Sequence, residues 1–165
     1  MRWLGAALLI LSGVSMGLRT AAELWETVKR RESLCRVLDC MAYELERFRT
    51  PLPELFSGLA AESTGAAQQL CMAVNERFSG AEQMSFSFIW GRAMESMPLP
   101  ERECLAPLGS VLGRYGTAEQ LLAIERCRKD MERHLQKARD DQRERGRTGL
   151  GLWTAAGLMA AVLLI

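Results

Sequence analysis

One histidine, His134, and no cysteine pair at C-x-x-C spacing leave this chain of 165 residues short of the side chains most active sites use. Cys127 precedes His134 by seven residues, about 10 Å along a helix axis, too far for a thiolate and imidazole to pair. Cys35, Cys40, Cys71, Cys104 and Cys127 are scattered and odd in number, which argues against a disulfide framework and a zinc site. Buried, reduced thiols in a cytosolic domain are the simpler reading. The sequence has no P-loop, no G-x-G-x-x-G after a strand and no H-E-x-x-H. Neither charge sign dominates: 21 basic and 20 acidic residues give a formal charge of +1, too little positive charge to hold nucleic acid by phosphate neutralisation. The carboxylates stand at helix-surface spacings among basic neighbours, a pattern of solvation more than of acid–base work. The chain is therefore expected to have no catalytic residue, no cofactor, no metal and no nucleic-acid partner.

Apolar sequence is concentrated at the two ends, Trp3 to Leu18 and Gly149 to Ile165. As helices these cover roughly 24 to 26 Å, slightly less than the roughly 30 Å hydrocarbon core of a bilayer. Arg2 and Arg19 bracket the first and Arg145 and Arg147 precede the second, where long cationic side chains can snorkel to the headgroups. Trp3 and Trp153 fall near segment ends, as interfacial aromatics do. The expected organisation is an N-terminal transmembrane helix over 1–20, a helical domain over 21–147 and a C-terminal transmembrane helix over 148–165, with membrane lipid as a partner. Arg19, Lys29, Arg30 and Arg31 follow the first span, and Arg139, Arg143, Arg145 and Arg147 precede the second, which places the middle region in the cytosol. The alternative is an exported helical adaptor: Arg2 as a minimal n-region and Leu4 to Leu11 as the h-region of a cleaved signal peptide, with a C-terminal membrane anchor.

Between the ends the pattern is helical throughout, and six helices are expected. Ala21 to Phe48 carries Leu34, Leu38, Met41, Leu45 and Phe48 at steps of four and three, the seam of a helix packed on a long partner. Thr50 is placed to cap a second helix with Pro51 in its first turn; Leu52, Leu55, Phe56 and Leu59 share its face. A third helix, 66–78, aligns Leu70, Val74 and Phe78 and ends at Ser79-Gly80. A fourth, 82–97, turns Phe86, Ile89, Trp90 and Met94 inward before Pro98. A fifth, 100–115, aligns Leu105, Leu108 and Leu112, with Gly109 and Gly113 one turn apart for close packing. Thr117-Ala118-Glu119-Gln120 fits a capping box for the sixth, whose seam is Leu121, Ile124, Met131, Leu135 and Ala138. Arg139 to Arg147 is polar on every side. The expectation is an all-α bundle, its longest helices leading into the two spans and packed antiparallel.

In order and spacing these residues resemble the stage III sporulation protein AB family of endospore-forming bacteria. The resemblance runs through Leu4-Gly5-Ala6, Glu44, Thr50-Pro51-Leu52, Trp90, Leu108-Gly109, Leu112-Gly113, Gln120 and Ile124 to the C-terminal anchor. It implies a soluble part resembling the helical cytoplasmic domain of the type II secretion system F protein. It further implies a non-enzymatic platform in the mother-cell membrane, facing the forespore, within the channel complex needed for endospore formation. The partners it implies are the cytosolic secretion-type ATPase stage III sporulation protein AA and other channel components of the same operon. The charged stretch from Arg128 to Arg147 is a candidate docking face.

Overall fold

A computed structural model describes the backbone of residues 2–80 and 84–164, and the side chains of 15, 19 and 21–144 apart from 79, 81–83 and 99. Among these residues the chain is all-α: α1 (Arg2–Arg47), α2 (Leu52–Glu62), α3 (Gly65–Gly80), α4 (Phe86–Met94), α5 (Leu99–Leu105), α6 (Leu108–Val111) and α7 (Thr117–Leu164). Each expected span is continuous in backbone with a long helix, α1 or α7. Almost all side chains of the spans, and those of Arg2, Arg145 and Arg147, lie outside the described residues; Arg19 is exposed. Among the described residues no helix is long and apolar enough to cross a membrane.

The chain divides into two compact units, Met1–Val28 with Gln136–Ile165, and Lys29–Leu135. In the first, Val28 and Ala138 are buried and the Thr27 hydroxyl donates to the Glu23 carbonyl at 2.9 Å. The second holds the larger core. There α1 contributes Leu34, Leu38, Met41 and Leu45, each 6% exposed or less, one stripe of a 3.6-residue repeat. Opposite it α7 contributes Ile124, Met131 and Leu135. The two run antiparallel: Arg31 bonds the His134 carbonyl, and further along α1 Asp39 meets Arg128, earlier on α7. Phe48 departs from expectation. It follows the last residue of α1, is 61% exposed, and packs edge-on to Tyr43 at 6.0 Å.

Two copies of one tetrapeptide start helices. Pro51-Leu52-Pro53-Glu54 opens α2, and Pro98-Leu99-Pro100-Glu101 opens α5. In each the first proline is the N-cap, with ψ of 143° or 150°, and its carbonyl accepts the first helical bond at 2.9 Å. The second proline occupies a position whose N–H would have no helical partner, and the glutamate stands in the first turn, where the helix dipole favours a carboxylate. Neither helix has a side-chain cap. The Thr50 cap is thus not formed, because its hydroxyl is bonded to Glu44 Oε2 at 3.0 Å.

Around α2 the short helices stack aromatic rings. Phe56 lies 5.8 Å from both Phe86 and Trp90, and Phe78 is 5.8 Å from Phe86, offset geometries that favour ring pairs. The fourth helix is shorter than expected, starting at Phe86 after Ser85 as N-cap. The expected fifth helix is broken in two. Pro107 has no N–H to continue a helical ladder, α6 ends at Val111, Leu112 is extended, and Gly113 has φ +74°. Leu105, Leu108 and Leu112 are nevertheless all buried, so the apolar spacing reports burial correctly while the backbone leaves the helix.

Candidate functional site

The residues carrying the sequence pattern converge on one corner of the Lys29–Leu135 unit, where the α1–α2 turn meets the α6–α7 loop. Glu44, on the last turns of α1, accepts the Thr50 hydroxyl and so ties the turn to its helix. Pro51 then sets Leu52, whose Cδ1 would lie 2.8 Å from a Cβ at Gly113. Gly113 serves twice: its φ is left-handed, which L side chains rarely adopt, and its bare Cα admits Leu52. Gly109 receives Trp90 in the same way, since a Cβ there would stand 2.5 Å from Trp90 Cδ1. The Trp90 indole N–H donates to the Leu105 carbonyl at 2.9 Å, which satisfies the polar atom of a side chain only 2% exposed. Leu108 and Leu112 are buried beside these contacts. The two Leu-Gly pairs therefore do not line one helix face, but each glycine does admit a close intramolecular neighbour.

Gln120 closes the corner. Its Nε2 donates to the Tyr115 carbonyl at 2.7 Å and its Oε1 accepts from the Gly113 N–H at 3.4 Å. The expected capping box is not formed: α7 begins at Thr117, and the Gly116 carbonyl takes the first helical bond, from Gln120 N. The glutamine side chain instead spans the preceding loop.

Two features have no signal in the sequence pattern. Arg49, at the α1–α2 turn, holds φ +53°, a conformation costing an L residue roughly 1–2 kcal/mol. Beyond the corner, Glu101 is 1% exposed and accepts Arg31 Nε at 2.8 Å, while Arg31 Nη1 donates to the His134 carbonyl at 2.7 Å. This pair joins α5 to α1 and α7, and Glu101 Oε2 is buried without a hydrogen-bond partner. The twin proline-bounded tetrapeptide marks Glu101 as first-turn, but nothing in the sequence separates its burial from the exposure of Glu54.

Cys127 and His134 form no nucleophilic pair. The Cys127 thiol donates to the Cys104 carbonyl at 3.0 Å, and burial pushes its pKa up to about 12; burial does the same to Cys71. His134 is exposed. Among the described residues no group of histidine, cysteine and carboxylate side chains could hold a metal. Between Glu125 and Arg133 the charges of α7 form several ion pairs. Arg128 meets Glu125, Glu132 and Asp39, Lys129 meets Glu125, and Arg133 meets Asp130. The bond from Arg128 holds the Glu125 carboxyl below its ordinary range.

Antiparallel long helices, short packed helices between them and a corner braced by glycine contacts define a helical-bundle protein whose patterned residues pack and bond within the fold. Over residues 2–165 the chain matches the family model for stage III sporulation protein AB, and it belongs to that family. A solved structure of stage III sporulation protein AB is similar, with a TM-score of 0.62 at 18% identity, covering 70% of this chain and 94% of that one; at that identity the likeness shows the fold. No curated protein matches the chain. Family membership gives the protein a sporulation-related role.

Proposed function

We propose that the protein is a non-enzymatic platform of the mother cell-to-forespore channel complex. On this reading it is held in the mother-cell membrane by its apolar ends and presents its helical domain, similar to that of the type II secretion F protein, to the cytosolic ATPase stage III sporulation protein AA. The observation that carries the reading is the use of the patterned residues. Glu44, Thr50, Leu52, Trp90, Gly109, Gly113 and Gln120 bond or pack on one another, which is what a scaffold that must hold one surface shape requires.

Reconstitution of the full chain with the ATPase in lipid membranes tests this directly. A complex and altered ATP turnover are expected; no association at micromolar concentrations refutes docking. Topology has its own test. Cys40 is exposed whereas Cys71 is buried, so Cys40 is the informative thiol. It should resist an impermeant maleimide in intact cells and react after permeabilisation, whereas reaction in intact cells would favour the exported adaptor.

A further inference from the structure

We propose that residues 98–107, with α5 at their centre, form a strap that polar bonds latch onto the Lys29–Leu135 unit and that lifts as one piece while the rest of the unit stays folded. This goes beyond the docking reading and does not depend on it. α5 has little of its own to hold it. Its seven residues are fewer than the roughly 12–15 that a helix needs to persist unaided in water, so its form depends on docking. Pro98 stands before it and Pro107 shortly after it, and neither has an N–H to carry a helical ladder through. Pro98, Pro100, Arg102, Glu103, Ala106 and Pro107 are exposed. Among the described side chains of α5, Leu105 is the one apolar group that is fully buried; Cys104 is half-covered, and the other buried group is the Glu101 carboxylate.

Polar bonds to three different helices supply what apolar burial does not. In the first turn Glu101 accepts Arg31 Nε of α1 at 2.8 Å. At the other end, where a helix leaves its last carbonyls without intrahelical donors, the Cys104 carbonyl accepts the Cys127 thiol of α7 at 3.0 Å, and the Leu105 carbonyl accepts the Trp90 indole N–H of α4 at 2.9 Å. Water can replace all three once the strap lifts, so each contributes far less than its strength in isolation. Glu101 shifts the balance further. Its Oε2 is buried without a hydrogen-bond partner, and release returns to that oxygen, and to the Arg31 guanidinium, the hydration that burial withholds. The long helices are held differently: Leu34, Leu38 and Met41 of α1 and Ile124 and Met131 of α7 are each 1% exposed or less, and water gives such side chains nothing in return. Segments with few buried apolar contacts are the ones that open below global unfolding. The flanks suit a hinge, since Glu95, Ser96 and Ala106 are exposed whereas Leu108 is buried and Gly109 sits against Trp90. Access to Arg31 and Cys127 is what the strap controls.

The test uses the full chain in detergent micelles. Amide exchange read by mass spectrometry should show residues 98–107 exchanging faster than Leu34 to Leu45 of α1, with a flatter dependence on sub-denaturing urea, because less surface is exposed in the opening. One rate and one urea slope for both segments would mean that α5 leaves only when the unit unfolds, and would overturn the proposal. Thiol modification gives a second measure. Cys127 bonds the strap, whereas Cys71 is buried on α3, and both are 5% exposed or less. In Glu101→Gln, which removes the charge that Arg31 holds, iodoacetamide at pH 8 should reach Cys127 roughly a hundredfold faster than in the wild-type chain, well ahead of Cys71. Cys127 and Cys71 reacting together with parallel urea dependences would refute independent release. Leu59→Ala supplies the converse. Leu59 is 4% exposed on α2, and its truncation should speed Cys71 modification roughly thirtyfold or more while leaving exchange at 98–107 unchanged; equal acceleration of both would again sink the strap. If Glu101→Gln fails to fold, exchange in the wild-type chain decides the matter alone, and ATPase binding has no bearing on any of these results.

Discussion

At Glu101 a carboxylate is buried with one oxygen bonded to Arg31 and the other bonded to nothing. Removing one member of such a pair leaves an uncompensated charge, at a cost of about 3–5 kcal/mol, whereas replacing both by apolar groups is often neutral. Glu101→Gln, which keeps the shape and discards the charge, should therefore destabilise the full chain by about 3 kcal/mol in urea unfolding. Arg31→Met with Glu101→Leu should recover most of that loss. A double variant no better than the single one would mean that the pair is net stabilising. The glycines divide by the same kind of local argument. A methyl at Gly109 meets the body of a buried ring at 2.5 Å, while one at Gly113 meets the tip of Leu52 at 2.8 Å and a positive φ. Gly109→Ala should cost about 2 kcal/mol through overpacking, and Gly113→Ala about 1–2 kcal/mol, mostly through backbone strain. Enlarging the space with Leu52→Ala should relieve little of the Gly113→Ala loss; full relief would assign that loss to the contact.

Element by element, the sequence is legible where burial alone decides. The stripe Leu34, Leu38, Met41 and Leu45, the α2 residues Leu55, Phe56 and Leu59, and Leu105, Leu108 and Leu112 are all in the core as their spacing implies. It is less legible where side chains compete for the same backbone groups. Thr50 is suitable as a cap, but Glu44 lies six residues earlier and takes its hydroxyl, and Pro51 supplies the N-cap geometry without it. Gln120 has the position for a capping box, yet the orphan groups nearest it belong to the loop, Gly113 N–H and the Tyr115 carbonyl. Pro107 and Gly113 mark the break between α5 and α7 in hindsight, although the leucine period runs through it undisturbed. Gln120→Ala should lower stability by about 1 kcal/mol, the net worth of a typical hydrogen bond. It should also speed amide exchange at Gly113 to Gly116 more than elsewhere in the unit. Uniform acceleration across the unit would instead indicate a global effect, and the glutamine would not be a local clasp.

For the molecule as a whole, the cysteines map inside and outside. Cys35, Cys71 and Cys127 are buried on α1, α3 and α7 as expected of buried thiols, whereas Cys40 is exposed and Cys104 only partly covered, against that expectation. Burial raises the Cys71 and Cys127 thiols from 9.0 to about 12, so the fold favours their protonated forms. A folded-state pKa above the unfolded one contributes stability that is complete below about pH 9 and is lost as pH climbs towards 12, at up to about 1.4 kcal/mol per pH unit per thiol. Thermal midpoints of the full chain should therefore fall more steeply between pH 9 and 11 than those of a Cys71→Ala, Cys127→Ala double variant. At pH 7 that variant should be the less stable of the two, because each truncation leaves a small cavity, and the gap should narrow or reverse by pH 11. Titrating lysines, tyrosines and arginines are common to both chains and cancel in the comparison. At pH 8 iodoacetamide should modify Cys40 first and leave Cys71 and Cys127 intact until the chain is unfolded. Parallel pH curves, together with early modification of Cys71, would show that the core between α2, α3 and α4 opens to solvent and is no rigid support for the corner.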